Sequence, residues 1–226
     1  MNDHPLRELQ DSLDYHFKKT ELLERALTHS STGAEKNYER LEFLGDRVVG
    51  LVIAHMLWKI FPDENEGDLA KRHAALVQGQ MLARLARLVR LGDFMQLSEA
   101  ERAAGGASNV NILADGLESV IGALYIDGGL AECERVIKRL WGNSIHIMKA
   151  PPQDPKTALQ EWAQGRTLPL PSYEVVGKNG PDHAPVFEIK VSVEGYPPCT
   201  AEGKSRRKAE KDAAAMLLAH LIEMES

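Results

Sequence analysis

Cysteine is scarce in this 226-residue chain: two only, Cys133 and Cys199, far apart and without metal-ligand spacing. That scarcity argues against a disulfide scaffold or a cysteine-built zinc site, and it fits a reducing compartment. Long apolar runs are missing too. The longest, residues 48–60, is interrupted by His55 and Lys59 and is too short to span a bilayer. Residues 1–10 are polar and mixed in charge with no apolar signal core, so a cytoplasmic protein with no membrane partner is expected. Positive charge is not in excess either. The net charge of −6 disfavours a nucleic-acid partner on average, although a local basic cluster can bind phosphates on an acidic chain.

What is present is an ordinary globular composition, 43% hydrophobic and 27% charged, with length for one medium domain and a small one. The clearest boundary is Ala150-Pro151-Pro152-Gln153-Asp154-Pro155, where three prolines resist helix and strand alike. The expected organisation is a domain over 1–149, a linker over 150–154 and a second domain over 155–226. Before the linker the periodicity is helical. Helices are predicted over 20–30, over 38–61 (stopped by Pro62), from Asp68 through Leu69, Leu76, Leu82 and Leu85 toward Gly92, over 111–126 and over 130–148. The Gly105-Gly106 stretch reads as a helix end or loop.

Two of these helices carry paired acids. On the first, Glu42 and Asp46 lie about 40° apart and Glu39 about 60° from Glu42, on a helix apolar nearly all round. Carboxylates in such surroundings are costly, and like charges one turn apart repel. A divalent cation relieves both penalties. On the second helix, Asp115 and Glu118 face away from Leu113, Leu117, Val120, Ile121 and Leu124, again as a like-charged pair. If the helices meet, the four carboxylates make an oxygen-rich cage suited to Mg²⁺ or Mn²⁺. Spacing alone favours the plainer reading, in which the acids are solvated or paired with Arg40, Arg47 and Arg72. Thr28-His29-Ser30-Ser31 lacks a nucleophile elbow and reads as a capped helix end. His73 reads as a packed side chain.

After the linker, Asp154 is an N-cap candidate followed by Pro155 at the first helical position. That helix is predicted to end at Gly165. Strands follow at 173–176, 186–193 and 199–202, the middle one alternating Phe187, Ile189, Val191 and Val193 against polar neighbours. The closing helix opens with Lys204, Arg206, Arg207, Lys208 and Lys211, crowding cations where the helix dipole already favours anions. This module is slightly acidic overall, so the cluster alone argues for phosphate binding.

Taken together, these residues resemble bacterial ribonuclease III. Glu39-Arg40-Leu41-Glu42-Phe43-Leu44-Gly45-Asp46 looks like that family's signature segment. Leu113-Ala114-Asp115-Gly116-Leu117-Glu118-Ser119 with Gly122-Ala123 looks like its second acidic motif, and Glu66-Gly67-Asp68 and Ala26-Leu27-Thr28-His29 match lesser ones. Residues 155–223 resemble the α-β-β-β-α double-stranded-RNA-binding domain. The resemblance implies an α-helical endonuclease domain that forms a homodimer, followed by a small α+β RNA-binding domain. It implies Mg²⁺, or Mn²⁺ in its place, on Glu42, Asp46, Asp115 and Glu118, with Asp46 and Glu118 catalytic and Glu39 and Glu66 accessory. It further implies cleavage of double-stranded RNA to 5′-phosphate and 3′-hydroxyl ends with two-nucleotide 3′ overhangs, in ribosomal and messenger RNA processing. Thr157, Gln160 and Glu161 would meet one minor groove and His183 the next, while Arg206, Arg207, Lys208 and Lys211 grip phosphates between them. Two residues depart from the family pattern: Arg47, where a small residue is usual, and Glu210, where many such domains carry a lysine. A catalytically silent RNA-binding protein and a small-nucleotide phosphohydrolase are the rival readings. All four acids are present, against the first; the second would not need the C-terminal module.

Overall fold

The computed structural model describes residues 6–181 and 185–225; His183 therefore lies outside the described residues. The chain divides into two compact units, Met1–Pro152 and Gln153–Ser226.

The first unit is helical: α1 (Arg7–Leu13), α2 (Thr20–Leu27), α3 (Glu39–Ile60), α4 (Glu66–Val77), α5 (Gly79–Leu88), α6 (Leu91–Phe94), α7 (Glu99–Ala103), α8 (Val110–Gly128) and α9 (Leu130–Ile147). Its centre is α8, opened by the Asn109 side chain, which accepts from the backbone N–H groups of Asn111 and Ile112. The helix ends at Gly129, whose φ of 81° favours glycine. It packs against α2, α3, α5 and α9 and buries Leu113, Leu117, Val120, Ile121 and Leu124. Ser119 is fully buried, its Oγ 2.5 Å from the carbonyl of Ala26 and 2.9 Å from that of Gly116, pinning α8 to the end of α2.

Three expectations change. The segment from Asp68 to Gly92 is not one helix, because Gln78 takes an extended conformation (φ −68°, ψ 149°) and separates α4 from α5. Its cap is Asn65, accepting from the Asp68 N–H at 3.0 Å, so Asp68 lies inside the first turn. Nor is α3 buried all round: Phe43, Leu51 and Trp58 are 66%, 58% and 68% exposed along one side. The short α1 has no strong apolar period to announce it, yet it buries Leu9 and Leu13.

At the far end of this unit Arg72 is buried. Its guanidinium holds Glu64 in two hydrogen bonds of 2.7 and 2.6 Å, donates to the carbonyl of Met148 at 2.6 Å, and lies 3.8 Å from the centre of the Phe61 ring. Every guanidinium edge is thereby engaged, as a buried cation requires.

The second unit has α10 (Pro155–Gln164), β1 (Ser172–Asn179), β2 (Val186–Ser192), β3 (Cys199–Gly203) and α11 (Arg206–Glu225). The strands form an antiparallel sheet in the order β1-β2-β3, with Ile189 opposite both Val175 and Ala201 and an irregularity between Val175 and Gly177. Leu159, Ala163, Val191, Val193, Ala213, Leu217 and Leu221 fill the core between sheet and helices. Asp154 caps α10, accepting from the Lys156 N–H at 3.0 Å, with Pro155 in the first turn.

Candidate metal centre and nucleic-acid face

Two glycines set the position of the acids. A methyl group on Gly45 of α3 would overlap the backbone carbonyl of Glu118 on α8, and one on Gly122 would overlap the carbonyl of Leu41. The two helices thus touch backbone to backbone. Each neighbouring atom is main chain, so no rotamer can make room. With the axes this close, Glu42, one turn before Gly45, reaches Asp115 and Glu118 on the facing helix.

Glu42, Asp115 and Glu118 come together, each offering a carboxylate oxygen within 4.8 Å of the other two. The three are partly buried, and the electrostatics record their crowding. Burial, then the charges of Asp115 and Glu42, push the Glu118 carboxyl up to about 7, with Arg47 acting the other way. Glu42 is raised by burial and by Asp115 and Glu39. Asp115 is raised by burial and pulled partway back by His29. Three hard oxygen donors that repel one another, with no sulfur or nitrogen ligand among them, fit a divalent cation of the Mg²⁺ or Mn²⁺ type.

Asp46 does not join this trio. One turn further along α3, it pairs with Arg47, whose guanidinium also lies 5.2 Å from the Phe43 ring centre. Glu39 is exposed, near enough to raise Glu42 electrostatically but outside the trio. Glu66 is exposed at the start of α4, where it lines a cleft of about 820 Å³ with Leu51, Trp58, Phe61 and Leu69.

Sequence reasoning passed over His29 and Tyr38 as site neighbours. The His29 ring stacks on Tyr38 with centroids 5.2 Å apart, and its Nδ1 accepts from the Ser31 N–H at 3.1 Å. Burial, Asp115, Glu42 and Glu39 drive the Tyr38 hydroxyl up to about 12, against a hydrogen bond with Ser30. The two rings therefore form an aromatic wall beside the acids. Their sequence signal was the Ala26-Leu27-Thr28-His29 motif and the hydroxyls after it; the cap of the turn over Ser30–Thr32 is the His29 ring and not a hydroxyl.

In the second unit Thr157, Gln160 and Glu161 are exposed on one face of α10, at the i, i+3, i+4 spacing that aligns side chains. Arg206, Arg207 and Lys208 are exposed at the start of α11 and Lys211 is partly so. Several of these charges are held by acids: Arg206 by Glu210 at 2.9 Å, Lys208 by Asp212 at 2.7 Å and Lys211 by Asp154 at 2.6 Å.

Comparison with known proteins agrees with this geometry. Residues 19–144 match the family model described as Ribonuclease-III-like, and residues 155–221 match the Double-stranded RNA binding motif. Fold and site together define a helical, acid-centred nuclease joined to a double-stranded-RNA-binding module. The chain is 47% identical over 213 residues to Ribonuclease 3 of Ehrlichia ruminantium (strain Welgevonden), covering 92% of this chain and 94% of that protein. It is 41% identical over 219 residues to Ribonuclease 3 of Anaplasma marginale (strain Florida), covering 96% and 94%. Among solved structures, one of the nuclease domain of ribonuclease III from Campylobacter jejuni, concerned with flexibility in a region involved in dimer formation, superposes with a TM-score of 0.60. It is 42% identical and covers 61% of this chain and 96% of that one. The chain belongs to the ribonuclease III family and is a double-stranded-RNA endoribonuclease.

Proposed function

We propose that this protein cleaves double-stranded RNA with Mg²⁺, or Mn²⁺ in its place, held by Glu42, Asp115 and Glu118. The observation that carries this reading is the convergence of those three carboxylates within 4.8 Å at a glycine-tight helix crossing. When bound, such a cation supplies Lewis acidity at the phosphate and acidifies the attacking water. The chain's own part is to hold three carboxylates at close range despite their repulsion. Glu118, whose carboxyl is raised to about 7 without a cation, would have to give up its proton to serve as a ligand. Asp46 is retained as the fourth carboxylate, available once it leaves Arg47. Glu39 and Glu66 are assigned accessory roles around the site.

The products in this reading are 5′-phosphate and 3′-hydroxyl ends with two-nucleotide 3′ overhangs, made in the cytoplasm from ribosomal precursors and messenger RNA. Paired cuts require two sites, hence a homodimer. The exposed Phe43, Leu51 and Trp58 stripe of α3, together with the adjoining cleft, offers the apolar surface for it. RNA binding is assigned to Thr157, Gln160, Glu161, His183 and the basic start of α11, which read A-form shape. The test is incubation with a perfect RNA duplex with and without Mg²⁺. Wild type cuts only with the metal, and Glu118→Gln abolishes cutting while duplex binding persists. Cleavage by Glu118→Gln in Mg²⁺ would remove that residue from the site.

A further inference from the structure

Glu210 looks misplaced on a surface meant for phosphates, since a carboxylate there should repel RNA. Its geometry points elsewhere. The side chain is only 12% exposed and accepts from Lys156 Nζ at 2.7 Å and from Arg206 Nε at 2.9 Å. Those two hydrogen bonds hold its carboxyl below the usual range. Lys156 stands in the first turn of α10, directly before Thr157, and its ammonium also lies 4.4 Å from the centre of the Tyr173 ring on β1. The next residue on α11, Lys211, reaches back to Asp154, the cap of α10, at 2.6 Å.

Consecutive residues of α11 thus make two bridges of opposite polarity to the same end of α10. Reversed polarities specify one alignment of the two helix ends, because sliding either helix brings like charges together. The alignment fixes the start of α10, which carries the exposed Thr157 and Gln160, relative to the start of α11, which carries the exposed Arg206 and Arg207. Arg207 joins none of the bridges, whereas Arg206 is oriented by one.

We propose that Glu210 and Lys211 are positioning residues for RNA binding, clamping the start of α10 to the start of α11 so that groove-facing and phosphate-facing side chains share one register. In this scheme Lys211 acts as part of the clamp and not as a phosphate contact, and Glu210 favours binding despite its charge. The inference rests on the reading that this face meets duplex RNA. The bridges are partly buried and therefore contribute to folding as well, so thermal unfolding of each variant is measured beside its affinity to separate the two effects.

The experiment uses the full chain and a perfect RNA duplex in EDTA, with affinity measured across a salt series. Glu210→Gln is expected to weaken binding by about three- to tenfold with the salt slope unchanged, since no phosphate contact is lost. Glu210→Lys is expected to weaken it also, despite the added positive charge. The double exchange Lys156→Glu with Glu210→Lys, which restores the bridge at unchanged net charge, should recover at least half of the loss in log affinity. Unchanged or tighter binding by Glu210→Gln, tighter binding by Glu210→Lys, or a double exchange no better than the single variants would each overturn the clamp. Loss of neither affinity nor salt slope in Arg206→Ala with Arg207→Ala would instead overturn the RNA-face reading beneath it.

Discussion

Replacing Glu118 by glutamine should make the metal-free protein more stable at alkaline pH, an unusual outcome for a residue placed at the centre of an active site. The reasoning starts from its carboxyl, raised from 4.5 to about 7 by burial and two neighbouring acids. As pH rises the unfolded chain gives up this proton first. The stability linked to Glu118 is therefore complete below about pH 4.5 and is lost as pH climbs through about 7. At 1.36 kcal/mol per pH unit the full penalty above pH 7 is about 3 kcal/mol. Partial solvent access and sharing of the proton among three coupled carboxyls reduce this to about 1–2 kcal/mol. For a unit of this size that is a rise of about 3–6 °C in melting temperature. The assay is thermal unfolding of wild type and Glu118→Gln in EDTA at pH 5 and pH 8, repeated with Mg²⁺. The glutamine variant should exceed wild type at pH 8, match it closely at pH 5, and gain less from Mg²⁺. A variant less stable than wild type at pH 8, or an identical Mg²⁺ response in both, would refute the claim that crowded acids await a cation.

Other expectations follow from single features. Gly45→Ala should destabilise the nuclease unit by about 3 kcal/mol, the upper end for overpacking, because the new methyl meets main chain; chemical denaturation reads this directly, and an unchanged midpoint would contradict the backbone contact. Arg72→Met should cost about 3–5 kcal/mol by leaving Glu64 unpaired, with Glu64→Gln in the same background recovering part of it. Trp58→Glu should shift the protein toward half its molar mass by light scattering if the exposed stripe of α3 is the dimer surface; an unchanged mass would assign dimerisation elsewhere. Arg207→Ala should lower the salt slope of duplex binding by about one, whereas an unaltered slope would deny it a phosphate contact.

Much of this was legible in the sequence because the helices obey their periodicity. Pro62 ends α3 near where expected, and Asp154 caps α10 as its spacing with Pro155 promised. The failures have physical causes. Burial along α3 could not be read from hydrophobicity, since an apolar side chain waiting for a partner looks like a core residue until the surface is seen. The break at Gln78 is marked in sequence only by the lone Gly79, through which the apolar period continues unbroken. Within the acid set, angular spacing put Asp46 beside Glu42, but the facing helix arrives at Gly45, and a turn further on Arg47 takes the carboxylate instead. The basic run at 204–211 was visible as charge, and its pairings Arg206 with Glu210 and Lys208 with Asp212 follow the i, i+4 spacing of one helix; the bridge from Lys211 to Asp154, the cap of α10, needed the fold.

The contact between Gly45 and Gly122 bears on how such a site can change. Peptide groups are common to every residue, so the spacing of α3 and α8 at the crossing is set by atoms that no substitution outside the glycines removes. Repacking the surrounding core cannot narrow the crossing to suit a smaller ion, because main chain already meets main chain there. Altered metal preference must instead come through the reach of the acids, by exchanging Asp115 for glutamate or Glu42 and Glu118 for aspartate. The scaffold thus acts as a fixed gauge, and the carboxylate side chains are its adjustable jaws.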